Sequence, residues 1–317
     1  MTEGRDKYEK GRGLLTMAAL ILAAGCAAKA PAPPPGSFED YGAHAEVIIR
    51  DLPYVEGMEN NRDLMLNVYS NPHQGLWPVV VMIHGGAWFK GSKEMENYTF
   101  LCMALASRGY VVFNVNHRLV PSVRIKSQAE DAMAAVIWVK ERAVEYGGDP
   151  ERIGVAGGSS GGHLAALVAW ASDDPYFIPT GEYRGPLDSD VAVAALFYPV
   201  LDLDRTLVEN GSIFAPAARL VLVGKVGAKY REALLHISPK SHLDASAVPA
   251  IFLTGDADSL KLYPQSVEFQ KSLEDLGVDS SLYTAPGKDH GFTSQYWEPE
   301  TAESLRLMIE FFDRYLK

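Results

Sequence analysis

Residues 157–162 read Gly-Gly-Ser-Ser-Gly-Gly, two hydroxyls set between paired glycines. A serine hydroxyl attacks carbon effectively only when a neighbouring base takes its proton. The pattern G-x-S-x-G fits in two registers, so Ser159 and Ser160 are both candidate nucleophiles. Base candidates come from eight histidines. His290 stands out, in Asp289-His290-Gly291-Phe292 just past a strand-like run. Orienting an imidazole and stabilising its charged form needs a carboxylate. Gly255-Asp256-Ala257-Asp258 offers two, while Asp289, adjacent to the base along the chain, reads as a loop residue. His84-Gly85-Gly86-Ala87-Trp88 is a second glycine-bearing loop, followed by Phe89.

The elements that must carry these loops are legible as apolar runs alternating with amphipathic stretches. The pattern predicts strands at Ala45–Ile49, Leu64–Tyr69, Pro78–Ile83, Val111–Val115, Arg152–Ala156, Val191–Phe197, Ala250–Thr254 and Ser280–Thr284. It predicts helices at Tyr98–Ser107, Ile125–Tyr146, Gly161–Ala171, Leu262–Leu276 and Pro299–Leu316. Early strands follow one another and later ones alternate with helices. That order calls for an α/β fold: a mostly parallel sheet with an antiparallel start, covered on both faces. Ligands in such sheets bind beyond the carboxyl ends of the strands. All four candidate loops fall at such ends.

Ser, Asp and His in that order, each just past a strand, with a G-x-S-x-G turn and an HGGG-type loop after the third strand, resemble the α/β-hydrolase family. The resemblance covers residues 46–317. HGGAWFKGSK, NHRLVP, GGDPERIGVAGGSSGGHLA and SPKSHLDASAVPAIFLTGDAD are similar to the bacterial esterase branch around hormone-sensitive-lipase-like and BD-FAE-type enzymes. It implies Ser159 as nucleophile, His290 as base and Asp258 as the acid, with Asp256 the reserve. It further implies an oxyanion hole from the N–H groups of Gly86, Ala87 and Ser160, and a wall for the acyl or alcohol group at Trp88 and Phe89. Ala87 replaces the third glycine of HGGG, which keeps the amide but disfavours a positive φ. His84 is expected to shape its loop, His163 and His242 to make ordinary polar contacts, and Cys102 to be buried packing. Asn116-His117 replaces the more usual Asp-Tyr before Arg118-Leu119. The apolar stretch 201–241, with Phe214, Leu220, Val221, Leu222 and Tyr230, is expected to form a small cap.

Composition agrees with one large domain: 317 residues, 47% hydrophobic and 22% charged. A net charge of −11 without a basic block argues against a nucleic-acid partner. Neither a nucleotide-binding glycine loop nor an H-E-x-x-H or Cys/His ligand set is present, so no cofactor and no metal is expected. The N-terminus reads differently. Arg5, Lys7, Lys10 and Arg12 precede an apolar run Leu14–Ala24 that is too short to span a bilayer. Residues 1–25 therefore read as an export signal, and Ala23-Ala24-Gly25-Cys26 resembles a bacterial lipobox, with lipid on Cys26. Residues 26–45, Pro/Ala-rich at the start, read as a tether holding the domain away from a membrane. The expectation is an exported serine ester hydrolase acting on a small-molecule ester. Its alternatives are an amide-directed hydrolase of peptidase or formamidase type and a catalytically silent lipoprotein of the same fold.

Overall fold

The computed structural model describes residues 37–58, 60–72, 74–179, 188–209, 220–225 and 228–317. The signal-like segment, Cys26, residues 26–36 of the expected tether and Phe214 lie outside the described residues.

Eight strands form one sheet: β1 (Val47–Pro53), β2 (Met65–Ser70), β3 (Trp77–Ile83), β4 (Val111–Val115), β5 (Gly148–Gly158), β6 (Val193–Phe197), β7 (Ala250–Gly255) and β8 (Ser280–Ala285). Their order is β1-β2-β4-β3-β5-β6-β7-β8. β2 runs antiparallel to both β1 and β4, and every pair from β4 to β8 is parallel. Among the described residues the longer helices are α1 (Glu96–Ala106), α2 (Ile125–Arg142), α3 (Ser160–Trp170), α4 (Ala228–His236), α5 (Tyr263–Asp275) and α6 (Pro299–Leu316).

Alternation along the strands divides the core in two. Val79, Val81 and Ile83 of β3 pack with Ala129, Leu164 and Phe269 of α2, α3 and α5 on one face. Val80 and Met82 pack with Phe100, Phe311 and Phe312 of α1 and α6 on the other. Because both faces are covered, the central strands are continuously apolar. The elements agree with expectation within a few residues, α4 lying in the stretch read as part of the cap. This is the α/β-hydrolase fold.

Ordered structure begins earlier than Glu46. A 3₁₀ turn at Phe38–Tyr41 is closed by a Ser37/Asp40 capping box, and Phe38 packs edge-on against Phe100 and Tyr296. Residues 38–45, read above as part of the tether, instead begin the folded body, because the Phe38 and Tyr41 rings meet Phe100 and Tyr296. In the 201–241 stretch, Leu207, Leu222 and Leu234 join the core. Gln265 of α5 accepts from the N–H groups of Leu201 and Asp202, tying the stretch to the body.

Candidate active site

β5 ends at Gly158 and α3 begins at Ser160, so Ser159 alone makes the turn, at φ 58° and ψ −122°. A non-glycine residue there stores roughly 1–3 kcal/mol of strain. Close packing forces it. A Cβ at Gly157 would stand 2.4 Å from the Gly161 carbonyl oxygen, and one at Gly161 would stand 2.3 Å from that of Ile83. The glycines let strand and helix approach until the serine between them is thrust out at the carboxyl end of the central strand β5.

Ser159 Oγ lies 2.8 Å from His290 Nε2. His290 Nδ1–H donates to Asp258 Oδ2 at 2.9 Å, and Asp258 Oδ1 accepts from the Leu260 N–H. The Asp258 side chain is 0% exposed and that of His290 6% exposed, so the pair is shielded from water. Ser160 Oγ is buried and has no hydrogen-bond partner among the described residues. Between the two registers, geometry favours Ser159.

The other carboxylates hold the loops. Asp256 accepts from the Gly287 N–H at 2.6 Å. Asp289 accepts from the Ser259 N–H at 2.7 Å and from the His290 N–H at 2.6 Å. A Cβ at Gly255 would meet the Lys288 carbonyl oxygen at 2.0 Å. The loops after β7 and β8 thus lie backbone to backbone, cross-linked by Asp256 and Asp289, and this sets Asp258 under the imidazole.

Gly86, Ala87 and Trp88 take φ values of 134°, 54° and 65°. Ala87 adopts the left-handed conformation its side chain disfavours. The N–H groups of Gly86, Ala87 and Ser160 make no hydrogen bond within the described residues, leaving three donors free beside the serine elbow. That of Ser160 stands at the first turn of α3, where the helix dipole also favours negative charge.

Trp88 departs from its expected place. Its side chain is buried, the indole Nε1–H donates to His163 Nδ1 at 3.3 Å, and its carbonyl accepts from Gln128 and Val120. The left-handed turn directs the indole into the core, so it backs the loop and does not wall the mouth. Phe89 is half-buried. His163 passes its Nε2–H to the Ile237 carbonyl, and burial pushes its pKa down to about 4. His84 donates to the Gly85 carbonyl and stacks on His117 at 4.4 Å. Burial first, then the neighbouring His117, push its pKa down to about 3. His242 donates to the His236 carbonyl, and Cys102 is buried and free.

Several supports were missed in the sequence. Asn116 Oδ1 accepts from the Lys93 N–H, and Asn114 donates to the Lys93 carbonyl, pinning the chain after the oxyanion loop to the end of β4. The buried Lys93 ammonium pairs with Asp51 and Glu94. Asn97, Tyr98, Tyr198 and Thr293 gather under the elbow. Asn116-His117, visible only as a departure from a commoner dipeptide, was the one hint.

A strained serine turn after the fifth strand, an acid loop after the seventh and a histidine loop after the eighth are the architecture of an α/β-hydrolase of the esterase/lipase class. The BD-FAE family model matches residues 66–273. The chain belongs to the BD-FAE family. It is 32% identical over 238 residues to the probable carboxylic ester hydrolase LipM of Mycobacterium tuberculosis, covering 74% of this chain and 54% of that protein. It is 30% identical over 251 residues to the carboxylesterase NlhH of the same organism, covering 75% and 74%. The chain spans little more than half the length of LipM, LipQ and LipC, at 54%, 59% and 53%. Among solved structures, an esterase from Thermogutta terrifontis with propionate bound is 26% identical at a TM-score of 0.64, covering 88% of this chain and 96% of that one. Esterase B from Lactobacillus rhamnosis superposes at a TM-score of 0.74 with 24% identity, covering 98% and 96%, a likeness of fold.

Proposed function

We propose that the chain is a serine carboxylic-ester hydrolase working through an acyl-enzyme intermediate. Ser159 Oγ bonds to the ester carbonyl carbon as its proton passes to His290 Nε2. Asp258 holds the ring with Nδ1–H inward and stabilises the imidazolium. The carbonyl oxygen, now an oxyanion, is held by the N–H groups of Gly86, Ala87 and Ser160, each donor contributing on the order of 3 kcal/mol of transition-state stabilisation. Collapse breaks the bond to the alcohol oxygen, which takes the proton from His290. Water activated by the same histidine then releases the acid and frees Ser159.

The observation that carries this reading is the continuous chain Ser159 Oγ to His290 to Asp258, at 2.8 and 2.9 Å, beside three free backbone donors. The BD-FAE membership and the relatives named as esterases support an ester as substrate. Short-chain or carbohydrate-linked esters are the class we favour, in line with the propionate held by the Thermogutta enzyme. Purified protein should hydrolyse p-nitrophenyl acetate or butyrate without added metal. A serine-directed organophosphate should label it once and abolish activity. Undiminished turnover after stoichiometric labelling would refute the mechanism.

The basic-then-apolar N-terminus and Ala23-Ala24-Gly25-Cys26 support export and a lipid anchor on Cys26, which would place this hydrolase on a membrane surface.

A further inference from the structure

Tyr98, in the first turn of α1, lies between the two loops that the proposed chemistry needs in register. Its phenol oxygen accepts from the Gly85 N–H at 2.8 Å and its O–H donates to the Gly158 carbonyl at 3.2 Å. Gly85 immediately precedes the donor pair Gly86 and Ala87, and Gly158 immediately precedes the nucleophile. One oxygen atom therefore joins both loops, each one residue away from the reacting groups. The fit is tight from either side: a Cβ at Gly85 would come within 2.8 Å of that oxygen, and one at Gly158 within 2.7 Å. The side chain is buried, and burial raises the phenol well above its ordinary pKa, so it stays a neutral donor.

A second phenol extends the arrangement. Tyr198 lies against Tyr98, shares a 2.5 Å hydrogen bond with Thr293 Oγ1 in the base loop, and sets its ring edge-on to His290 at 4.9 Å. Asn97, beside Tyr98 on α1, donates to the same Thr293 hydroxyl. Gly86, Ser159 and His290, one in each of the three loops, are 73 to 204 residues apart in the chain, and these two phenols span the gaps beneath them.

We infer that Tyr98 is a positioning residue that sets the distance between the oxyanion donors and Ser159. The inference rests on the serine mechanism proposed above. Tyr98 touches no substrate. It acts on the geometry of the N–H groups of Gly86 and Ala87 relative to the attacked carbon. The transition state, in which the carbonyl oxygen gains charge and moves toward those donors, feels a displacement of a few tenths of an ångström more than the ground state does.

The test uses the full chain with Tyr98→Phe, which keeps the ring and removes only the oxygen. We expect kcat on p-nitrophenyl butyrate to fall 10- to 100-fold, with KM changed less than twofold. Affinity for a boronic-acid analogue of the tetrahedral adduct should fall by a similar factor, and the pH of half-maximal kcat/KM on the acid side should stay in place. Tyr110→Phe, which removes a buried phenol oxygen that bonds Asp313 and meets neither loop, should leave analogue affinity within threefold of wild type. A Tyr98→Phe enzyme with kcat within twofold of wild type, or with its whole deficit in KM, overturns the positioning role. Ser159→Ala separates the two levels: if that variant stays active the mechanism itself fails, and if it is inactive the Tyr98 outcome bears on Tyr98 alone. A measurement on wild type needs no variant to fold. The Gly85 amide should exchange with solvent at least tenfold more slowly than those of Gly86 and Ala87, and equal rates would overturn the tie.

Discussion

Acid should unlock this protein through histidines that the reaction does not use. His84 and His163 are fully buried and neutral, held down to about 3 and about 4 chiefly by burial, and His117 is shifted the same way. In the unfolded chain each titrates near its ordinary value of about 6.5. Between pH 6.5 and 4 the unfolded state therefore binds more protons, so stability is present above that window and falls as pH drops through it. At pH 5 each of the two lies about 1.5 units below its unfolded pKa, a loss of about 2 kcal/mol apiece relative to pH 7. Two such losses are a large share of a typical domain stability of about 5–15 kcal/mol. Asp131 has the opposite sign, its pKa raised to about 6 by burial despite the Arg118 guanidinium, so protonation favours the folded state there. A difference between variants removes that contribution. His163→Gln is suited to it, because an amide can accept from the Trp88 indole and donate to the Ile237 carbonyl as the imidazole does. Urea unfolding at pH 7 and pH 5 should show wild type losing about 2 kcal/mol more than His163→Gln over that interval. Equal losses would refute the assignment of a neutral, depressed His163.

Further outcomes bear on the site and its setting. Asp258→Asn should lower kcat by several orders of magnitude, on the order of 10⁴ as for the matching change in a serine-protease triad, because the amide holds the wrong imidazole tautomer. Asp256→Asn should leave kcat nearly intact and loosen the loop that Gly287 closes; the reverse result places the acid two residues earlier. Ser160→Ala should retain most activity, since its buried hydroxyl has no partner among the described residues to lose, while Ser159→Ala should abolish organophosphate labelling. Rates along a series of p-nitrophenyl esters should peak at short acyl chains, and a maximum at palmitate would point to a true lipase. Expressed with its own N-terminus in a Gram-negative host, the protein should fractionate with membranes and Cys26→Ser should accumulate as precursor; a wholly soluble, lipid-free wild type would contradict the anchor.

What could be read in advance divides along a physical line. The candidate residues Ser159, Asp258 and His290 were legible because each sits in a loop whose own sequence is constrained by backbone geometry. Gly157 and Gly161 are there because a Cβ would strike carbonyl oxygens, and Gly255 because the acid and base loops touch through their backbones. The atoms a Cβ would strike can be far along the chain, but each constraint is met by a glycine within three residues of Ser159 or Asp258, which leaves a local pattern. The strands were legible for a related reason, since a sheet buried on both faces needs unbroken apolar runs. Where the outcome hung on the direction of one side chain, the pattern was silent. Trp88, next to a glycine loop at a strand end, could face the mouth or the core, and only a φ of 65° sends it inward to His163. Phe38 and Tyr41 likewise look like part of a tether until Phe100 and Tyr296 are in place to receive them.

The supports were the least visible part, and the reason is chain separation. Tyr98 meets Gly158 across 60 residues and Asn97 meets Thr293 across 196, so no spacing rule links them. Tyr98 and Phe100 are both large aromatics on one short helix, and composition gives them the same meaning. In the structure Phe100 fills the core beside Tyr296, whereas the Tyr98 oxygen joins the oxyanion loop to the elbow. A buried phenol costs free energy unless its oxygen is hydrogen-bonded, and here its two backbone partners each lie one residue from a candidate reacting group. A polar atom that burial makes expensive is therefore the better guide to what holds a site together, and it can be found only once the fold shows which distant backbone it meets.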